Sequence, residues 1–93
     1  MVECFWPGAS SSVVDDATGR LDEACAELAT EGVVVRRTVT TFVPEEETVL
    51  WLFEAAGESS LHTLARRADV RFDRVLAVVS DGSGAQPAGN GRP

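Results

Sequence analysis

Apolar and polar positions follow two rhythms along this chain. Two stretches repeat at helical spacing, and the others are short, β-branched or apolar runs. "VECFW" at 2–6 is apolar-rich and is stopped by Pro7-Gly8, which predicts a strand and a turn. "ASSSVVDDATGRLDEACAELATEG" predicts a helix, with Val14, Ala17, Leu21, Ala24, Cys25 and Leu28 on one face and Asp16, Arg20, Glu23 and Glu27 on the other. Ser10, Ser11 and Ser12 offer N-caps, and Asp15 and Asp16 suit the positive end of the helix dipole. Gly32 stands where a C′ glycine would close the helix. Gly19, inside it, costs about 1 kcal/mol relative to Ala.

"VVVRRTVTTFV" (33–43) and "TVLWLFEA" (48–55) predict two strands joined by "PEEE" (44–47). Such a pair with a short polar connector makes a hairpin whose tip faces water. Three adjacent glutamates there repel one another and keep the tip from pairing with another sheet. A calcium loop would need alternating ligands and a glycine bend, and "EEE" has neither. "ESSLHTLARRAD" (58–69) predicts a second helix capped by Ser59, with Leu61, Leu64, Ala65 and Ala68 as its apolar stripe. "RVLAVVS" (74–80) is the last predicted strand. The order β-α-β-β-α-β with right-handed crossovers predicts an α+β, ferredoxin-like plait: a four-stranded antiparallel sheet with both helices on one face.

The face left uncovered by the helices carries the functional expectation. Strand residues alternate sides. Glu3 does not belong under two helices, so Glu3 and Phe5 are assigned to the open side and Val2, Cys4 and Trp6 to the core. On the second strand the more polar set, Arg36, Thr38, Thr40 and Phe42, joins Glu3. On the third, the aliphatic Leu50 and Leu52 suit the core, which sends Trp51 and Phe53 to the open side. The expected open face is therefore aromatic, with Glu3 and Arg36 as an ion pair within it. A patch of that kind marks an interface or a ligand site. It predicts a homodimer, with the two faces either simply in contact or enclosing a small-molecule cavity.

Composition narrows the chemistry. The chain has 93 residues and a formal net charge of −7, from 15 acidic and 8 basic residues. Every basic residue is Arg, and there is no Lys and no Tyr, so no lysine Schiff base or tyrosine acid is available. The acidic balance argues against nucleic acid, whose binding rests on neutralising phosphates. The locally basic "RRADVRFDR" is interleaved with Asp69 and Asp73 and predicts a salt-bridged helix end. No stretch approaches the ~20 apolar residues of a membrane span. The N-terminus has no secretory pattern, so a cytoplasmic protein with reduced Cys4 and Cys25 is expected. The domain is expected over 1–80. The Gly-, Pro- and Ala-rich 81–93 buries too little to order itself and is expected to be a disordered tail. His62, the single histidine, lies away from the leucine stripe, and Glu3, Cys4 and Glu54, the nearest candidate ligands in type, stand at no i,i+4 or CxxC spacing from it.

"VECFWPG" at the start and "FEAAGESSLHTLARRADVRFDRVLAV" towards the end resemble a bacterial family of unknown function, over Val2 to about Val79. The best-matched features are Glu3, Glu54-Ala55, "ARRA" at 65–68 and "DRV" at 73–75. The resemblance implies small ferredoxin-like dimers, one of whose relatives binds nickel. The family's two histidines correspond here to Arg37 and Leu64, neither a usual metal ligand, so nickel binding is not carried over intact.

Three readings follow. In the first, the dimer binds, and in one version isomerises or cyclises, a small, partly apolar organic molecule without a cofactor. By fold-level analogy the plan also resembles small isomerases, cyclases and monooxygenases of catabolism and natural-product biosynthesis. Glu3 would move the proton, its acidity tuned by burial and by Arg36. Arg36 or Arg37 would hold a carboxylate or enolate oxygen. Phe5, Trp6, Thr38, Trp51, Phe53, Glu54 and His62 would contact the ligand. The second reading is a nickel-binding protein, and the third a non-catalytic dimeric interaction module.

Overall fold

The computed structural model describes residues 1–77. Positions 78–80 of the expected last strand and the expected tail 81–93 lie outside the described residues. The elements run β1 (Val2–Phe5), α1 (Ser11–Thr30), β2 (Val35–Val43), a 3-10 turn (Pro44–Glu46), β3 (Thr48–Ala55), α2 (Glu58–Ala68) and β4 (Arg74–Val75). The four strands form one antiparallel sheet in the order β2-β3-β1-β4. This α+β arrangement fits the ferredoxin-like order expected from the sequence.

α1 begins where the serines allow it. The Ser10 hydroxyl accepts a hydrogen bond from the Val13 N–H at 3.3 Å. Asp15 and Asp16 fall beyond the first turn, so they do not act on the dipole as expected. The helix closes at Glu31. Gly32 follows at φ 84°, a left-handed position a glycine takes without steric cost. Gly57 is the N-cap of α2 and supplies no side-chain cap. Ser59, the expected cap, lies inside its first turn. α2 ends at Asp69, also left-handed, and the orphan carbonyls there are met from the other helix. The Arg20 guanidinium donates to the carbonyl oxygens of Ala68 at 3.2 Å and Asp69 at 3.0 Å. Arg20 was expected on the outer face of α1. Instead it reaches across to close α2.

One core cluster takes in Val14, Ala17, Leu21, Ala24 and Leu28 of α1, Leu61, Leu64 and Ala68 of α2, and Val2, Cys4, Val35, Val49 and Trp51 of the sheet. Trp51 is 0 % exposed, and its indole N–H donates to the Thr18 hydroxyl of α1 at 3.1 Å. Burying a side chain of that size stabilises by on the order of 5 kcal/mol before entropy is counted. This overturns the expected polarity of β3. Val49, Trp51 and Phe53 face the helices, and Leu50 and Leu52 face away.

β2 differs from the expectation for a separate reason. Arg37 pairs with Phe53 and Val39 with Leu52, so Thr38 is an extra residue, a bulge. The strand reverses its faces there. Before the bulge, Val35 and Arg37 point to the helix side and Arg36 away. After it, Thr40 and Phe42 point to the helix side, and Val39, Thr41 and Val43 away. Phe42 packs against the core, contrary to its expected place on the open face.

Candidate functional site

The pairing register lays the open face out in rows across the strands. Leu52 stands opposite Val39, Leu50 opposite Thr41 and Glu3, and Thr48 opposite Val43 and Phe5. Arg74 stands opposite Glu3 on β4. Met1 and Leu76 continue β1 and β4 by exchanging backbone hydrogen bonds, each 2.7 Å. Alternation puts them on the side of Glu3 and Arg74. One row, Val39–Leu52–Met1–Leu76, is thus apolar across all four strands. The next holds Thr41, Leu50, Glu3 and Arg74. Beyond it come Val43, Thr48 and Phe5. On the other side of the apolar row stand Arg36 and Glu54. Val39 is 50 % exposed and Phe5 51 %.

Two ion pairs flank the apolar row. Arg74 lies 3.5 Å from the Glu3 carboxylate, whose side chain is 34 % exposed. Arg36 donates to Glu54 through Nε and Nη2. The expected Glu3–Arg36 pair is therefore not formed, because cross-strand register gives each residue a nearer partner. Of the residues proposed from the sequence, Glu3, Phe5, Arg36 and Glu54 do lie on the open face. Trp51 and Phe53 do not: each stacks on Phe72, at 5.9 and 6.0 Å between ring centroids, on the helix side. Thr38 sits at the bulge, and its hydroxyl donates to the Leu52 carbonyl at 3.2 Å. His62 is exposed on α2, 3.0 Å from Glu58.

Arg37, expected to hold a substrate oxygen, is turned to the helix side and clamps α1 to β2. Its Nε and Nη2 donate to the two Asp22 carboxylate oxygens at 2.8 and 2.9 Å, and its Nη1 to the Thr40 hydroxyl at 3.0 Å. That bidentate bond holds the Asp22 carboxyl below its ordinary range. Burial, with the Asp73 charge second, pushes the Cys4 thiol up, and burial does the same to Cys25, so neither is poised as a nucleophile. The glutamate tip is exposed, as expected, but Glu47 does more than face water. Its carboxylate accepts from the Gly8 N–H at 3.1 Å and its carbonyl from the Trp6 N–H, tying the β1–α1 turn to the hairpin.

Five residues missed in the sequence reading belong to the site: Val39, Leu52 and Arg74, and Met1 and Leu76, which lie just beyond the strand ends. Val39 and Leu52 were placed in the core because the bulge and the helix-facing tryptophan are not visible in the period-two pattern. Arg74 could have been found, since β1 and β4 are antiparallel neighbours in the expected topology and a Glu facing an Arg is a favourable cross-strand pair.

Among the clefts of the described residues, two stand at opposite ends of the sheet. One, of about 500 Å³, is lined by Leu52, Phe53, Leu61, Val75 and Leu76 with Glu54 and Glu58. The other, of about 280 Å³, lies between Cys4, Trp6 and Pro7 and the α2–β4 connection at Asp69, Val70 and Arg71. Of the two positions that the sequence resemblance set against histidines, Arg37 is the clamp to Asp22 and Leu64 is 0 % exposed in the core. Among the described residues no three His, Cys, Asp or Glu gather where they could hold a metal ion.

Fold and face together define an α+β plait with one helix-covered sheet face and one open face crossed by an apolar row between ion pairs. Compared with known proteins, the chain matches no family model, no curated protein and no solved structure. Among the described residues no helix is long and apolar enough to cross a membrane.

Proposed function

We propose that this chain is a homodimerising ferredoxin-like module and that two copies meet through their open sheet faces. The supporting observation is the row Val39–Leu52–Met1–Leu76. An apolar centre with charged flanks has the anatomy of a protein interface. A row running straight across the strands is also self-complementary under a two-fold axis along it, as an isologous contact requires. A core of about seventy to eighty residues is only marginally stable alone, and covering this face adds buried apolar area. Sedimentation of the parent chain, Leu52→Lys and Val39→Lys tests it. The expected result is a dimer for the parent and folded monomers for both variants. A parent that stays monomeric at about 100 μM, a concentration that would populate any contact of micromolar affinity, overturns the reading. So do variants that remain dimeric.

A second reading, that the protein also binds a small, partly apolar organic molecule, draws on the cleft beside Glu54 and Glu58. Its size lies within the roughly 300–1,000 Å³ of small-molecule sites, its walls are mostly apolar, and two carboxylates give it orientation. Thr38, Phe53 and Glu54, three of the residues chosen from the sequence as ligand contacts, line it.

A further inference from the structure

The smaller cleft, at the Trp6 end of the sheet, is built differently. It is lined by Trp6 and Pro7, the buried Cys4, the two arginines Arg20 and Arg71, and Asp69 and Val70, drawn from β1, the β1–α1 turn, α1 and the α2–β4 connection. None of these residues forms the open-face rows, so the cleft is independent of the proposed dimer contact.

Both arginines are held from behind by backbone. Arg20 spends Nη1 on the Ala68 and Asp69 carbonyls. Its Nε is buried and has no hydrogen-bond partner among the described residues. Asp16, 3.4 Å away, is close enough for an ion pair but is not aligned with that N–H as a hydrogen bond requires. Arg71 donates through Nη2 to the Phe5 carbonyl and is 3.0 Å from Asp73 through Nε. Asp73 in turn accepts from the Phe5 N–H at 2.7 Å. Arg71 and Asp73 therefore satisfy both backbone groups of Phe5, as a strand partner would, and the guanidinium is fixed in the process. Groups fixed before binding lose little freedom when a ligand arrives. Guanidiniums are the side chains best matched to a planar oxyanion, and an indole offers a ring a flat apolar surface.

We propose that this cleft binds a small planar carboxylate, its ring against Trp6 and its oxygens towards Arg20 and Arg71. The volume, about 280 Å³, lies just below the range for drug-sized ligands, which points to a single-ring acid. Asp16, Asp69 and Asp73 stand near the two arginines and offset part of their charge, so the affinity is modest, on the order of millimolar. The buried Cys4 thiol forms a wall and takes no part in chemistry.

The test is an NMR titration of the full, isotope-labelled chain with benzoate, and with benzamide as a neutral isostere. The two tryptophan indole N–H signals are assigned through Trp6→Phe. The expected result is a saturable shift of the Trp6 indole and of the Val70–Arg71 amides with benzoate. Binding should be about tenfold weaker with benzamide and about tenfold weaker in Arg71→Gln, the worth of one charge-assisted hydrogen bond. The absence of a saturable Trp6 shift at about 20 mM benzoate, well above a millimolar dissociation constant, overturns the proposal. Equal binding of benzamide also overturns it, because the arginines would then not be reading a carboxylate. Because the comparison of the two probes uses the parent chain, it stands even if Arg71→Gln fails to fold. Shifts confined to Phe53–Glu58 would refute this site while favouring the ligand reading of the other cleft, and dimerisation is read separately by sedimentation.

Discussion

Replacing Thr18 by Val tests the placement of Trp51, on which the polarity of the whole sheet depends. The Thr18 hydroxyl does two things: it donates to the Val14 carbonyl at 2.8 Å and accepts from the Trp51 indole N–H at 3.1 Å. Valine has nearly the same shape but no oxygen. The indole N–H, on a residue that is 0 % exposed, would then lose its partner and have no water to replace it. Leaving a buried donor unsatisfied costs about 1–3 kcal/mol. For a domain of this size each kcal/mol corresponds to about 4–8 °C in melting temperature. Urea unfolding followed by circular dichroism, at one fixed protein concentration because dimerisation would shift the midpoint, should show that loss with an unchanged slope. Thr18→Ser keeps the oxygen and should lose less, about 0.8 kcal/mol for one methyl group. In a Trp51→Phe background the donor is already gone, so Thr18→Val should cost markedly less, with a coupling of about 0.5–3 kcal/mol between the two sites. If Thr18→Val is as stable as the parent, or if the two changes are simply additive, Trp51 does not face α1 as described and the open-face rows are wrong.

Two further outcomes follow from the same geometry. The Asp22 carboxyl is held below its ordinary range by Arg37, so its contribution to stability is complete above the unfolded value, near pH 4, and is lost as pH falls through that value and the lower folded one. Arg37→Gln should flatten that part of an acid-unfolding curve while costing about 1 kcal/mol or less at neutral pH, since the pair is partly exposed; an unchanged acid limb would show that Arg37 is not the clamp. With nickel or zinc added in slight excess, native mass spectrometry should find no metal retained by the parent or by His62→Ala. A metal held by the parent and lost in Glu3→Ala would contradict the donor geometry.

Much of the architecture was written in local patterns. The α1 stripe from Val14 to Leu28 and the Gly32 stop are set by helical spacing and by a backbone angle that glycine takes freely. The hairpin around Pro44 and the strand order follow from connection length and handedness. The clamps formed by Arg20 and Arg37 were not legible, because each joins elements far apart in sequence and either arginine could as well have been solvated.

The sequence by itself determined which segments become the two helices and the first three strands, where the short fourth strand begins, and that one sheet face would lie outside the helices with Glu3 on it. Only the tertiary structure decided what surrounds Glu3. β3 carries large apolar residues on both of its faces, so its own pattern cannot say which face the helices take. That choice is made by fit, with Trp51 reaching the Thr18 hydroxyl and stacking on Phe72 beneath α1 and α2. Thr38 then adds one residue to β2 and reverses every side chain after it. A packing contact and a single-residue bulge, both non-local, turned an expected aromatic face into an apolar aliphatic row between two ion pairs.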